Sequence, residues 1–211
     1  MAEPMSNPGF FDVDCRQMTD GNQWDYVPRM FPVKDKLDRL FAFIEENRYK
    51  LASMCCVWAN MPQPGSREDM LFIPLDPEDS GWQDVYEQYR MYYLEKKPRC
   101  ATDPIDHANG PHQIFLHNRN AIQLLNSLDV SEWVVFGNAL DICGDLTVEK
   151  LLKLGHRVVF LSDVMVLGAG ERSETPEAIR DRTYACWREK GAIQLTLDQL
   201  LQQCGRKEVG A

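Results

Sequence analysis

Trp133-Val-Val-Phe-Gly-Asn-Ala-Leu-Asp-Ile-Cys143 decides how this sequence of 211 residues is read. Its apolar run, Trp133 to Phe136, has the length and residue types of a buried strand, and it stops at Gly137. Six residues after Gly137 comes Cys143, and a helix-like stretch over 143–154 follows at once. A cysteine at a strand-to-helix junction sits where backbone N–H groups and the helix dipole stabilise a thiolate. Cys143 is therefore a candidate nucleophile. The plain structural alternative is a packed cysteine at a helix start.

Working outward toward the C-terminus, the 143–154 helix has Leu146, Leu151 and Leu152 as its inward residues and Gly155 as its C-terminal stop. Arg157-Val-Val-Phe-Leu161 reads as a strand leading to Asp163. A helix over 174–190 is entered through Thr175-Pro176, where proline fits the first turn. A strand over 192–197 and a helix over 198–204 complete this side.

Toward the N-terminus, 119–128 reads as a helix, with Ala121, Ile122, Leu124, Leu125 and Leu128. Gly9 to Asp14 reads as a short buried first strand. Val33, Leu37, Leu40, Phe41 and Ile44 recur at helical spacing over 33–48, and 51–58 reads as a second strand. Five prolines or glycines over 60–81, ahead of Gly81, predict an excursion over the surface. Tyr86, Tyr89, Tyr92 and Tyr93, with Trp82 and Met91, predict a helix over 82–95, and 98–113 is irregular. Alternating strands and helices imply a three-layer α/β/α fold around a mostly parallel sheet. The reading is one domain across 1–211 with an irregular insertion around 60–115. Ligands of such sheets bind beyond the carboxyl ends of the strands, and Asp14 and Cys143 both lie just past strand ends.

Composition narrows the function classes. A formal net charge of -9 argues against a general nucleic-acid surface. No apolar run approaches the ~20 residues that span a bilayer. Met1-Ala-Glu-Pro-Met-Ser-Asn-Pro8 lacks the basic and apolar regions of a signal peptide. Seven cysteines, an odd number, point to free thiols in the reducing cytoplasm. No C-x-x-C pair suggests a structural zinc site, and Cys55-Cys56 lie in an apolar run and read as core.

Three segments together resemble the isochorismatase-like cysteine hydrolases, which include nicotinamidases and related amidases. Phe10-Phe-Asp-Val-Asp14, followed by Asp20-Gly21 and Tyr26-Val-Pro28, is similar to the family's first strand with its D-G and V-P elements. Gly137-Asn-Ala-Leu-Asp-Ile-Cys143 is similar to its G-x-A-x-D-x-C signature. Leu154-Gly-His-Arg-Val158 through Asp163 is similar to its L-G-Y-x-V…D-A ending. The resemblance implies the family's fold and an Asp–Lys–Cys triad; the metal that some nicotinamidases carry on an Asp-x-His motif is not carried over, because the matching Val57-Trp-Ala-Asn-Met-Pro62 has no histidine, and no cofactor is expected. Cys143 would be the nucleophile, Asp14 the base, and the N–H groups of Ala139, Leu140 and Cys143 the oxyanion donors. Asp12 competes with Asp14, since strand alternation puts both on one face. Asp14 is preferred because it stands at the strand's end.

The triad lysine departs from the pattern: its expected place near 108–112 reads Ala-Asn-Gly-Pro-His. Lys97 is the substitute chosen, ahead of Lys96 and His112. His107, His112 and His117 are spaced five apart, which suits neither a helix face nor a strand face, and no metal site is assigned. Asp141 is read as a cap for the helix near Cys143. The tyrosine stripe is read as packing, with a pocket lid or a subunit interface as the alternative. The expected function is hydrolysis of a C–N bond in a small amide through a thioester. The alternative is a catalytically silent relative serving as a binding or assembly protein. A third reading is vinyl ether hydrolysis. The expected partners are a small-molecule substrate and other copies of the chain, with no nucleic acid and no membrane.

Overall fold

In the computed structural model the described residues are 5–18, 23–54, 64–65, 67–95, 118–168 and 173–205. Their centre is a pair of fully buried parallel strands, β1 (Gly9–Val13) and β7 (Trp133–Asn138). Between them the chain forms a small hairpin, β2 (Arg16–Met18) and β3 (Trp24–Tyr26), then α1 (Lys34–Glu46), β4 (Leu51–Met54), β5 (Met70–Ile73), β6 (Met91–Leu94) and α2 (Arg119–Ser127). After β7 come α3 (Asp145–Lys153), β8 (Val158–Val166), α4 (Pro176–Glu189), β9 (Ile193–Leu195) and α5 (Leu197–Gly205). The seven-stranded sheet runs β5-β6-β4-β1-β7-β8-β9, and every neighbouring pair is parallel.

Residues of alternate parity on the central strands feed two cores, as a period of two requires. Phe11, Val13, Trp133 and Val135 pack with Leu124 of α2, Val148 and Leu151 of α3, and Trp187 of α4. Phe10, Val134 and Phe136 pack on the other side with Leu37 and Leu40 of α1 and Leu200 of α5. Burial on both faces explains why β1 and β7 read as continuous apolar runs. The expected three-layer α/β/α architecture is present.

The helix ends follow their local chemistry. Thr175 accepts a hydrogen bond from Ala178 N–H at the start of α4, and Gly155 closes α3 with φ +87°. The inward face of α3 differs from the expectation. Thr147, Val148 and Leu151 are buried, while Leu146 and Leu152 are only partly covered. The α-helix begins at Asp145, after a different kind of turn, and this shifts its phase.

The region 60–95 is corrected at two places. The surface excursion contains an edge strand, β5. In place of a helix over 82–95 there are two short 3₁₀ turns, Gly81–Asp84 and Tyr86–Gln88, followed by β6. The tyrosine spacing fits a helix, but Tyr92 faces the α2–α4 core and Tyr93 the opposite side, against Phe72 and Trp24. Adjacent aromatic residues buried on opposite faces are what a strand accommodates. The stripe is therefore not one helical surface, and its Tyr92 and Tyr93 are buried packing residues. The expected strand over 51–58 is seen as β4, and its remainder, with Cys55 and Cys56, lies outside the described residues.

Candidate active site

The strand order fixes where a ligand crevice lies. From β1 the chain moves outward to β4 on one side, and from β7 it moves to β8 on the other. The switch point of this doubly wound sheet is thus the β1–β7 boundary, where connections leave in opposite directions and open a crevice at the carboxyl ends. Asp14 follows β1 directly, and Cys143 follows β7 by one short turn. Both are buried, at 4% and 5% exposure.

Gly137 brings the two strand ends together. It pairs with Val13 and has φ +126°. A Cβ there would stand 2.0 Å from the Val13 carbonyl oxygen and 2.9 Å from Cys15 Sγ, so only glycine fits. Next to it, Asn138 Nδ2 donates to the Asp14 carbonyl oxygen at 2.5 Å. From the other side, Asp14 N–H donates to the Met54 carbonyl of β4 at 2.9 Å. Asp14 adopts φ +52°, in the left-handed region.

Cys143 is carried by a π-type turn, Leu140–Gly144. The Ala139 carbonyl accepts from Ile142 N–H at 3.0 Å and from Gly144 N–H at 2.8 Å. The second bond spans five residues, which widens the turn; such single turns recur at functional sites. Gly144 must be small, because a Cβ there would lie 2.6 Å from Met165 Cε. Thr147 Oγ1 donates to the Cys143 carbonyl at 2.7 Å and ties the turn to α3. Asp141 does not cap a helix. Its Oδ1 accepts from Gly168 N–H at 2.9 Å, linking the turn to the chain beyond β8. The expectation of a cap fails because the residue lies inside the turn and not before α3.

Asp12 is fully buried and surrounded by donors. Oδ1 accepts from Cys15 N–H at 3.0 Å; Oδ2 accepts from Ser53 Oγ at 2.9 Å and Arg16 Nε at 3.1 Å. The Arg16 guanidinium lies over the Phe41 ring, 3.8 Å from its centre, and 5.0 Å from the centre of Trp24. Burial, followed by the Asp12 charge, pushes the Cys15 thiol well above its ordinary pKa.

No family model matches the sequence, and no curated protein does. Solved structures do match. A cysteine hydrolase from Pseudomonas syringae pv. phaseolicola 1448A aligns over 98% of this chain and 99% of its own, with 12% identity and a TM-score of 0.57. An isochorismatase from Pseudomonas putida KT2440 aligns over 94% of each chain, with 14% identity and a TM-score of 0.55. The nicotinamidase of Staphylococcus aureus aligns over 90% of this chain and 100% of its own, with 12% identity and a TM-score of 0.50. The chain has the isochorismatase-like hydrolase fold.

Within that fold, the structure brings Asp14, Ala139, Leu140 and Cys143 to the carboxyl end of the central strand pair. Lys97, with Lys96, His107, His112 and His117, lies outside the described residues. Among the described residues, no group of three or more His, Cys, Asp and Glu side chains could hold a metal ion. No helix among them is long and apolar enough to cross a membrane. Sequence reasoning missed Gly137 as the contact between strands, Asn138 as a clamp on Asp14, and Ser53 and Arg16 as partners of Asp12. Asn138 stands inside the Trp133–Cys143 stretch, so its place at the end of β7 was available from the sequence. Ser53 and Arg16 gave no signal, since only the sheet register and the hairpin bring them to Asp12.

Proposed function

We propose that this chain is a cysteine hydrolase that cleaves a C–N bond in a small amide. Cys143 gives its proton to Asp14, and its sulfur attacks the amide carbonyl carbon. The N–H groups of Ala139, Leu140 and Cys143 receive the developing oxyanion. When the tetrahedral adduct collapses, the C–N bond breaks, the proton passes from Asp14 to the leaving amine, and a thioester remains on Cys143. Water then attacks the thioester carbonyl, giving a proton to Asp14; the C–S bond breaks, the carboxylic acid product leaves, and the proton passes from Asp14 to the Cys143 sulfur, which regenerates the Asp14 carboxylate and the thiol. Lys97 is the third partner in this reading, and the enzyme acts as a homo-oligomer.

The observation that carries the reading is that Asp14 and the Cys143 turn follow the carboxyl ends of neighbouring strands at the switch point, where Asn138 at the end of β7 is bonded to the Asp14 carbonyl. Fold likeness to structures described as a cysteine hydrolase and a nicotinamidase supports the same class. A second reading, a silent relative that binds or assembles, is favoured by one sequence feature: Ala108-Asn-Gly-Pro-His112 stands where the family lysine is expected.

A panel of small amides separates the two. The hydrolase reading expects turnover that falls ~100-fold or more in Lys97→Ala, the size of a typical general acid–base contribution. His112→Ala, assayed beside it, should change turnover much less. A wild type that hydrolyses nothing in the panel and alkylates slowly at Cys143 leaves the silent relative as the reading.

A further inference from the structure

Asp12 has three donors and no part in the chemistry proposed above. We propose that Asp12 is the positioning residue that aims the Asp14 carboxylate at Cys143; the inference rests on the reading of Asp14 as the base. The left-handed region is disfavoured for a residue with a Cβ, and the φ of +52° at Asp14 is held by its surroundings. The peptide group joining Asp14 to Cys15 is gripped at both ends. Its carbonyl oxygen accepts from Asn138 Nδ2, and its N–H donates to Asp12 Oδ1. Together with the bond from Asp14 N–H to Met54, this leaves the Asp14 backbone no freedom to turn.

Asp12 can act as an anchor because it is itself immobile. Ser53 Oγ on β4 and Arg16 Nε on β2 hold its second oxygen. Phe41 and Trp24 hold Arg16 in turn. Without the bond to Cys15 N–H, a buried amide loses its acceptor, and the chain after Val13 can relax toward ordinary strand geometry. Alternation would then send the Asp14 side chain to the face that Asp12 occupies, toward α1. Asp12 is a poor candidate for the base itself. It is 0% exposed, and both of its oxygens already accept from protein donors.

The test uses the full-length chain and the pH profile of Cys143 alkylation by iodoacetamide, read by mass spectrometry. It compares wild type, Asp12→Asn, Asp12→Ala, Asp14→Asn and the double variant Asp12→Ala with Asp14→Asn. Asp12→Asn keeps an acceptor for Cys15 N–H and should stay nearer the wild-type profile than Asp12→Ala. Asp12→Ala should move the profile to that of Asp14→Asn, and the double variant should move it no further. A folded Asp12→Ala protein with the wild-type profile overturns the proposal. So does a shift that adds to that of Asp14→Asn.

Amide hydrogen exchange at Cys15 gives a second readout, expected to be at least about fivefold faster in Asp12→Ala, as loss of one hydrogen bond predicts. If Asp12→Ala fails to fold, Ser53→Ala carries this readout, and unchanged exchange at Cys15 counts against the anchor. Should Asp14→Asn itself leave the alkylation profile unchanged, the reading of Asp14 as base falls. Exchange at Cys15 then decides whether Asp12 holds the turn.

Discussion

Cys15 and Cys143 stand just beyond the ends of the two central strands, and their surroundings differ in one respect that matters. Both are buried, and both follow closely on a residue at the crevice. Cys15 continues directly from β1 into a hairpin, its N–H bonded to Asp12 and its sulfur packed under Gly137. Burial and the neighbouring carboxylate disfavour its thiolate. Cys143 rides on a widened turn that leaves the line of β7 and leads into the N-terminus of α3. In the proposed function, then, a cysteine near a strand end beside an aspartate is not enough to make a nucleophile. The two thiols differ in the backbone that carries them, a direct strand-to-hairpin continuation at Cys15 and a π-type turn at Cys143.

The contact that both turns share is Gly137, and breaking it should have the largest effect. Gly137→Ala puts a methyl group 2.0 Å from the Val13 carbonyl and strains φ at +126°. We expect a loss of about 3 kcal/mol or more in urea unfolding, or no folded protein. A variant that unfolds at the wild-type midpoint would show that the two strand ends are not locked together here.

The contrast between the two thiols comes next. Iodoacetamide at neutral pH should modify Cys143 ~100-fold faster than Cys15 in the folded protein, and faster than Cys186, which is more exposed than either. Peptide mass spectrometry over a time course reads all of these. If Cys15 or Cys186 is modified first, the turn does not confer reactivity and the contrast drawn above is wrong.

The same contrast explains what could be read from the sequence. β1, β7 and the elements that follow were legible, because strands buried on both faces leave long apolar runs and α4 carries its own start signal at Thr175-Pro176. That Asp14 and Cys143 follow strand ends was legible too. The shape of each turn was not legible. A bond from Gly144 N–H to Ala139 leaves no mark in a 3.6-residue period, so the helix was started too early, at Cys143. A left-handed Asp14 cannot be inferred from alternation, which it interrupts. β6 was hidden because its tyrosines also match helical spacing, and only neighbours distant in sequence, Phe72 and Trp24, tell the two apart.

A gentler change sharpens the account of the Cys143 turn. Thr147→Val removes the hydroxyl that donates to the Cys143 carbonyl and keeps the side chain's branched shape. Loss of one buried hydrogen bond should lower stability by about 1 kcal/mol and leave the contacts of Cys15 unchanged. Hydrogen exchange should therefore quicken in 140–147 and not around residue 15. Quickening at both ends would mean that the two turns behave as one unit.

The smallest effect concerns the entry to α3. Asp145, the first residue of the helix, accepts from Trp187 Nε1 at 2.6 Å and is partly buried. Burial raises its pKa, as does the charge of Glu149, and together they outweigh the Trp187 hydrogen bond, which lowers it. A carboxyl group whose pKa is higher in the folded state than in the unfolded one binds its proton more tightly when folded. Its contribution therefore favours folding at low pH, and is lost as pH rises from the unfolded value, about 4, through the folded one. At neutral pH the ionised form is a net cost to folding, despite its favourable place at a helix N-terminus. Asp145→Asn retains an oxygen for Trp187 and carries no charge, so it should stabilise the protein at pH 7. The gain should be under about 1 kcal/mol, because solvent screens a group that is only partly buried. At pH 3, where both states of the wild type are largely protonated, the gain should vanish. Paired urea titrations at the two pH values check this. A variant that is less stable at pH 7 would mean that the helix dipole governs Asp145, and that the Cys143 turn is braced electrostatically from α3.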